Sequence, residues 1–312
     1  MVWFIATAIL ILVLFSGAYV FCYASIRVKP QPWYDKEALE KTPYGRFYEH
    51  ISAGDRWLKD HNAQDLWMDS SDGLKLHALW IPTNDAKGTV LLAHGYRSIY
   101  LADFGLVFEM YHKLGLNLLI PDQRSHGQSQ GKIITFGVKE SDDVYRWVQL
   151  HNRTLGGYPL LLSGLSMGAS TVLYLADRDL PPNVCGIIAD CGFTSPYEII
   201  SEVYRRMVHL WPAPSMLAAD LFARIFGGFS LKEKDSRKTL AHSKLPILMI
   251  HGKEDRFVPC RMSEQAYAAC TSSKQLLLAD NAGHGVSFLH IPEEYTAAVI
   301  SFLKTNMDGF DH

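Results

Sequence analysis

The sequence has little of several things that would mark other classes of protein. It holds five cysteines, Cys22, Cys185, Cys191, Cys260 and Cys270. No two form a C-x-x-C pair, no spacing suggests zinc, and an odd number cannot pair completely within one chain. They read as free thiols, mostly in the core. Cys191 lies near the expected rim of a site but reads as a small buried hydrophobe rather than a nucleophile. An excess of charge is also missing: 30 Lys and Arg stand against 32 Asp and Glu, for a formal net charge of −2. That leaves no field to attract a polyanion, so nucleic acid is not an expected partner. There is no internal repeat and no low-complexity tract.

Charge is entirely absent from Val2 to Ile26. As a helix this stretch would be about 37 Å long at ~1.5 Å per residue, enough to cross a hydrocarbon core of about 30 Å. No Lys or Arg precedes it, and it exceeds the roughly 7–15 residues of a signal-peptide apolar region, so a membrane anchor is the expected reading. A lipoprotein signal fails because bulky Phe21 precedes Cys22. Arg27 and Lys29 follow directly, and this charge bias puts the rest of the chain in the cytoplasm, behind a single pass through the cell membrane. Trp3, Tyr19, Tyr23, Trp33 and Tyr34 would suit the two interfaces.

What remains is a globular composition, 48% hydrophobic and 20% charged, of a size that buries one full core. We expect an anchor at 1–28, a linker and N-terminal helix at 29–65, and one α/β domain at 66–312. Helical spacing of apolar residues runs from about Tyr44 to Asp60. Leu66–Asp69 and Leu74–Ile81 flank the turn Ser71-Asp72-Gly73 and read as an antiparallel hairpin. Continuous apolar runs then alternate with helical stretches: Thr89–Ala93, Leu116–Ile120, Pro159–Ser163, Cys185–Ala189, Pro246–Ile250 and Gln275–Ala279. Uninterrupted Val/Ile/Leu runs mean strands covered on both faces, hence a parallel sheet. The strandless stretch from Thr194 to Leu245, with Tyr204, Trp211, Pro212 and Pro214, is expected to form a helical cap over the site.

Ligands collect at the carboxyl ends of parallel strands, so the chemistry should follow each run. Gly164-x-Ser166-x-Gly168 follows one strand and precedes a helical stretch. Its glycines suit a tight turn that lifts a serine out of the sheet above a helix N-terminus. A serine needs a base, and the base needs an acid to fix its tautomer. His284 and Asp255 follow later strands in the order Ser, Asp, His; Glu254 is the rival acid. Two backbone donors for an oxyanion are expected at Met167 and at Tyr96, in the turn His94-Gly95-Tyr96. Arg97 and Ser98 could touch substrate. His94 and His251 should bond loop backbone, His126 sits in a glycine-containing loop, and His77, His112 and His290 have no partner suggested by sequence.

From about Leu66 onward these motifs resemble the α/β-hydrolase superfamily. His94-Gly95 resembles its oxyanion turn, Asp122 to Ser129 its D-x-R-G-H-G-x-S loop with Ser125 in place of the common glycine, and Gly164 to Gly168 its nucleophile elbow. His251-Gly252-x-x-Asp255-x-x-Val258-Pro259 resembles its acid loop and Gly283-His284 its histidine loop. With the N-terminal anchor, the chain is similar to bacterial membrane-anchored serine hydrolases of the YqkD-like kind, themselves similar to monoacylglycerol lipases and serine aminopeptidases. The resemblance implies a mostly parallel eight-stranded sheet with helices on both faces and a short cap at about 194–245. It also implies a serine esterase acting on a small-molecule acyl ester, lipid-derived or other, without metal or organic cofactor. The alternatives are an aminopeptidase-like amidase, whose pocket acid could be Glu198, Glu202 or Asp103, and a non-catalytic binding protein. A dehalogenase is disfavoured because its nucleophile is a carboxylate.

Overall fold

A computed structural model describes residues 1–27, 35–41 and 45–310. Lys29, Trp33, Tyr34 and Tyr44, on which part of the anchor and first-helix reading rests, lie outside the described residues. Eight strands form one sheet: β1 (Gln64–Asp69), β2 (Lys75–Ile81), β3 (Gly88–Ala93), β4 (Leu116–Pro121), β5 (Leu160–Leu165), β6 (Val184–Asp190), β7 (Ile247–Gly252) and β8 (Lys274–Ala279). Their order is β1-β2-β4-β3-β5-β6-β7-β8. β2 runs antiparallel to both β1 and β4, and every other pair is parallel. This is an α/β-hydrolase fold, as the alternation of runs predicts. β3, β4 and β5 are buried along their whole length, which explains why they read as unbroken apolar runs. Edge strand β1 alternates exposed with half-buried residues. Three expected first residues, Leu74, Pro159 and Pro246, drop out of their strands. Pro159 and Pro246 have no N–H to donate, yet their carbonyls accept from Thr89 and Ile187 at 2.8 and 3.0 Å.

Among the described residues, thirteen α-helices surround the sheet. Four precede or follow β3: α1 (Val2–Ser25), α2 (Lys36–Glu40), α3 (Tyr48–Asp60) and α4 (Tyr100–Phe104). Next come α5 (Phe108–Lys113), α6 (Val138–Thr154) and α7 (Met167–Leu173). The cap region contributes α8 (Pro196–Val208), α9 (Ala213–Phe222), a π-helical turn over Ala223–Gly227, and α10 (Ser236–Leu240). α11 (Arg261–Ala269), α12 (Ser287–His290) and α13 (Pro292–Asn306) close the chain. Two cores lie on opposite faces of the sheet. One joins Ile51, Phe108, Tyr111 and Phe302 to the β3 and β4 residues Leu92 and Leu118; the other joins Trp147, Val172 and Ala266 to Leu91 and Leu162. A third cluster carries the end of α1 and the cap, with Val20, Phe21, Phe136, Met167, Phe193, Ile199 and Met216.

The loop after β4 is held by a buried ion pair. The Arg124 guanidinium donates to the Asp143 carboxylate of α6 at 2.6 and 2.8 Å and to Asp72 at 2.9 and 3.2 Å. Burial outweighs the nearby guanidinium at Asp143 and pushes its carboxyl up to about 6, so the pair is costly to form and more costly to break. Arg124→Met should lower stability by about 3–5 kcal/mol by leaving Asp143 without its counter-charge. Urea unfolding would measure this, and a midpoint shift below a third of that range would contradict it.

Candidate active site

The turn after β5 sits at the middle of the sheet's carboxyl edge, between the ends of β3 and β6. Ser166 has φ 57° and ψ −114°, a strained conformation for a residue with a side chain. Three features sustain it. The Ser166 N–H donates to the Asp190 carbonyl at 2.8 Å, α7 begins at the next residue, and glycines on either side let the backbones close. A methyl at Gly168 would stand 1.8 Å from the Ala93 carbonyl oxygen, and one at Gly164 would stand 2.2 Å from that of Gly168. Gly168→Ala should therefore cost about 3 kcal/mol, at the upper end of overpacking effects, because only backbone can yield. A urea midpoint equal to wild type would show that the turn has slack we do not credit.

His284 Nε2 lies 2.9 Å from Ser166 Oγ, and His284 Nδ1 lies 2.6 Å from Asp255 Oδ2. The three side chains singled out from sequence thus meet in one chain of hydrogen bonds. Nδ1 faces a carboxylate, so it carries the proton and donates, which leaves Nε2 as the acceptor for the Ser166 hydroxyl. Glu254, the rival acid, is exposed to solvent.

Asp255 is more heavily engaged than its sequence suggests. Its Oδ1 accepts from the backbone N–H groups of Phe257 and Val258 at 2.8 and 2.9 Å. Its Oδ2 accepts from His284 and, at 3.2 Å, from His251. His251 Nε2 faces two acceptors, Asp255 and the Val258 carbonyl at 3.0 Å, so the proton sits there and Nδ1 accepts from Ser263 Oγ at 2.7 Å. Burial alone would raise the Asp255 carboxyl, but the bonds from His251 and His284 prevail and hold it well below the usual carboxylate range. Sequence reading assigned His251 to loop backbone, which is half of what it does. The only signal available was its position four residues before Asp255.

The turn after β3 abuts Ser166: a methyl at Gly95 would stand 3.4 Å from Ser166 Cβ. Asp103 braces this turn, accepting from the Gly95 N–H at 2.5 Å and the Ser98 hydroxyl at 2.6 Å. His126 braces it from the other side. Burial pushes its imidazole down to about 3, and as a neutral ring it accepts from the Arg97 N–H at 2.9 Å while donating to the Arg124 carbonyl at 2.9 Å. Met167 opens α7, whose first-turn N–H groups have no partner within the helix. Of the two residues nominated for contact with substrate, Arg97 lines the cavity and Ser98 is turned to Asp103. His94 bonds backbone as expected, through the Gly95 carbonyl and the Gln123 N–H. His77, for which the sequence offered no partner, lies between Asp122 and Asp65 at 2.9 Å from each.

Above Ser166 is a cavity of about 430 Å³. Ile199, Ile200 and Val203 of α8 line it, with Tyr96, Phe136, Phe193 and Phe257. Among the described residues, no Asp or Glu lines it. Asp103 is committed to the turn, Glu198 to Arg237 and Thr194, and Glu202 to Arg205, Arg206 and Arg261. Cys191, Asp255 and His284 place possible metal-ligand atoms within 4.8 Å of one another. The donor set does not suit a metal: Asp255 and His284 face each other, and burial pushes the Cys191 thiol far up, away from the thiolate a metal binds.

Trp3–Ser25 is long and apolar enough to cross a membrane, a property shared by anchors and signal sequences. Its outer turns are exposed, but its last turns are not a free tether. Ser16, Tyr19, Val20, Tyr23 and Ala24 line the same cavity as Ser166.

Residues 84–213 match the family described as serine aminopeptidase, and residues 212–290 that described as serine hydrolase (FSH1). The YqkD protein of Bacillus subtilis is 30% identical over 77% of this chain and 79% of its own length. A monoacylglycerol lipase of Mycolicibacterium smegmatis is 25% identical over 59% of this chain and 76% of its own. Among solved structures, the esterase Pf2001 of Pyrococcus furiosus aligns with a TM-score of 0.64 at 27% identity, over 80% of this chain and 96% of that one. Taken with the strand order and the turn at Ser166, these matches make the protein a serine-hydrolase-like enzyme, and the chain belongs to the α/β-hydrolase superfamily.

Proposed function

We propose that this enzyme hydrolyses carboxylic esters through an acyl-enzyme intermediate. The observation that carries the reading is the hydrogen-bonded chain from Ser166 Oγ through His284 to Asp255, at 2.9 and 2.6 Å, opening into an apolar cavity. Ser166 Oγ attacks the acyl carbon while its proton passes to His284 Nε2; collapse of the tetrahedral intermediate hands that proton to the leaving alcohol. Water then repeats the sequence, releasing the carboxylic acid and restoring the serine. Asp255 holds His284 in the tautomer that accepts from serine, and the amides of Tyr96 and Met167 bind the oxyanion. None of these steps requires a metal or cofactor.

An apolar cavity without a carboxylate favours an acyl group over a peptide's free amine, which would need a counter-charge. This weighs against the aminopeptidase reading, although one matched family carries that description. Turnover of nitrophenyl esters is the test; activity confined to aminoacyl amides would overturn the proposal. We further infer that α1 anchors the enzyme in the cell membrane with its catalytic domain cytoplasmic, since Arg27 and Lys29 follow the apolar run at once. Membrane fractionation and protease accessibility of intact and opened cells test both halves of that inference.

A further inference from the structure

The last turns of α1 are built into the site by both backbone and side chains. The Ile134 N–H donates to the Ser25 carbonyl at 2.7 Å, and the Arg27 N–H donates to that of Lys132 at 2.8 Å. The Arg27 guanidinium donates to the carbonyls of Ser129 and Gly127 at 3.0 and 2.9 Å. The turn that carries the proposed oxyanion donor is bound to the same helix end. The Tyr96 hydroxyl donates to the Ala24 carbonyl at 2.7 Å, and the Arg97 guanidinium donates to those of Tyr23 and Ile26. Further back, a methyl at Gly17 would stand 2.2 Å from Ala218 Cβ of α9, and Ser16 Oγ lies 2.7 Å from Ser215 Oγ. A tether that only holds an enzyme at a membrane has no need of these contacts.

Between α1 and α8 the cavity extends from Ser166 along Ala24, Val20 and Tyr19 to Ser16, opposite Val203 and Met207. An extended apolar chain bound as an acyl group on Ser166 has this direction open to it, beside a helix whose outward residues Leu12 and Phe15 are 68% and 73% exposed.

We propose that the last turns of the N-terminal helix are a wall of the acyl-binding site, with Val20 and Tyr19 setting how long an acyl chain Ser166 can accept. This rests on the ester-hydrolase reading above. The substrate class it names is a single-chain lipid ester with a medium or long acyl group. Each methylene sequestered against such a wall strengthens binding about fourfold, so filling or removing part of the wall changes long substrates and spares short ones.

The test uses the full-length chain in detergent micelles and the rates at which ethyl and dodecyl fluorophosphonates label Ser166, because labelling needs the serine and its pocket but not ester turnover. Val20→Trp places an indole where the chain would pass and should lower the dodecyl-to-ethyl rate ratio about tenfold or more. Tyr19→Ala removes an exposed ring whose loss threatens no core, and it should lower the ratio about threefold by removing apolar contact. Leu12→Trp, outside the cavity on the same helix, should leave it unchanged. A ratio within twofold of wild type in Tyr19→Ala overturns the inference, as does the same result in a Val20→Trp protein that still takes the ethyl probe; if Val20→Trp takes neither probe, Tyr19→Ala decides. A wild-type chain that labels with both probes but releases acid from no ester overturns only the ester reading. One that labels with neither overturns both.

Discussion

Ser166→Ala should lower kcat for ester hydrolysis by about a million-fold, roughly 8 kcal/mol of transition-state stabilisation, while leaving a folded protein. The two halves of this expectation have separate causes. In the proposed mechanism the hydroxyl supplies the electron pair that forms the new bond, and it is the Ser166 hydroxyl that lies against His284 Nε2. Cys191 is fully buried with its thiol held protonated, and among the described residues no carboxylate lines the pocket. Structurally the hydroxyl contributes one hydrogen bond, to His284 at 2.9 Å, worth about 1 kcal/mol net. The strain at φ 57° belongs to the backbone and persists with alanine. The variant should thus unfold near the wild-type temperature, lose fluorophosphonate labelling altogether, and still bind the acyl chain. The amides of Tyr96 and Met167 also remain in place, so a residual rate of about a thousand-fold over water is expected. Single-turnover kinetics on a nitrophenyl ester measures this directly. A burst of nitrophenol from the alanine protein would show that another group takes the acyl chain and would displace Ser166 from the mechanism.

How much of this was legible in the sequence depends on how each contact is specified. β3, β4 and β5 were readable because each is covered on both faces and is mostly apolar, so each run marks its strand to within two residues. Once a parallel sheet is granted, the residues after those runs share one edge, and the meeting of Ser166, Asp255 and His284 follows from topology without knowledge of the loops. Contacts made off that edge were not readable. His77 bonds Asp122 and Asp65 through strand pairing across β1, β2 and β4, and no periodicity announces a carboxylate pair at those separations. His251 bonds both a backbone carbonyl and Asp255, whereas sequence pattern supplies only the backbone half. The helix at the N-terminus was legible as an apolar span because composition alone decides that. Its place beside Ser166 depends on Gly17 closing against Ala218 and on the carbonyls of Tyr23, Ala24 and Ile26 meeting Tyr96 and Arg97. Those pairings link distant parts of the chain, and each uses residue types common in any helix.

Asp255→Asn should lower kcat about ten-thousand-fold, and the environment of Asp255 explains why an isosteric change is so costly here. All the groups around this carboxylate are donors: two backbone N–H groups on Oδ1, and His284 and His251 on Oδ2. An asparagine has one acceptor oxygen and an NH2 that must point somewhere. If its oxygen stays with the Phe257 and Val258 amides, the NH2 faces both imidazoles. His284 can then accept that N–H only by moving its own proton to Nε2, where it faces the Ser166 hydroxyl as a donor instead of a base. The reverse orientation sets an NH2 against two backbone N–H groups and forfeits their bonds. His251 cannot relieve the conflict by rotating, because its ring is held by Ser263 and the Val258 carbonyl. The loss should therefore appear in kcat with KM little changed, since the acyl cavity is untouched. It should diminish at high pH, where hydroxide takes over part of the base's role. A kcat within tenfold of wild type at neutral pH would mean that His284 is oriented by something other than Asp255. The serine would then draw its reactivity from a different arrangement of protons than the one the hydrogen-bond network dictates.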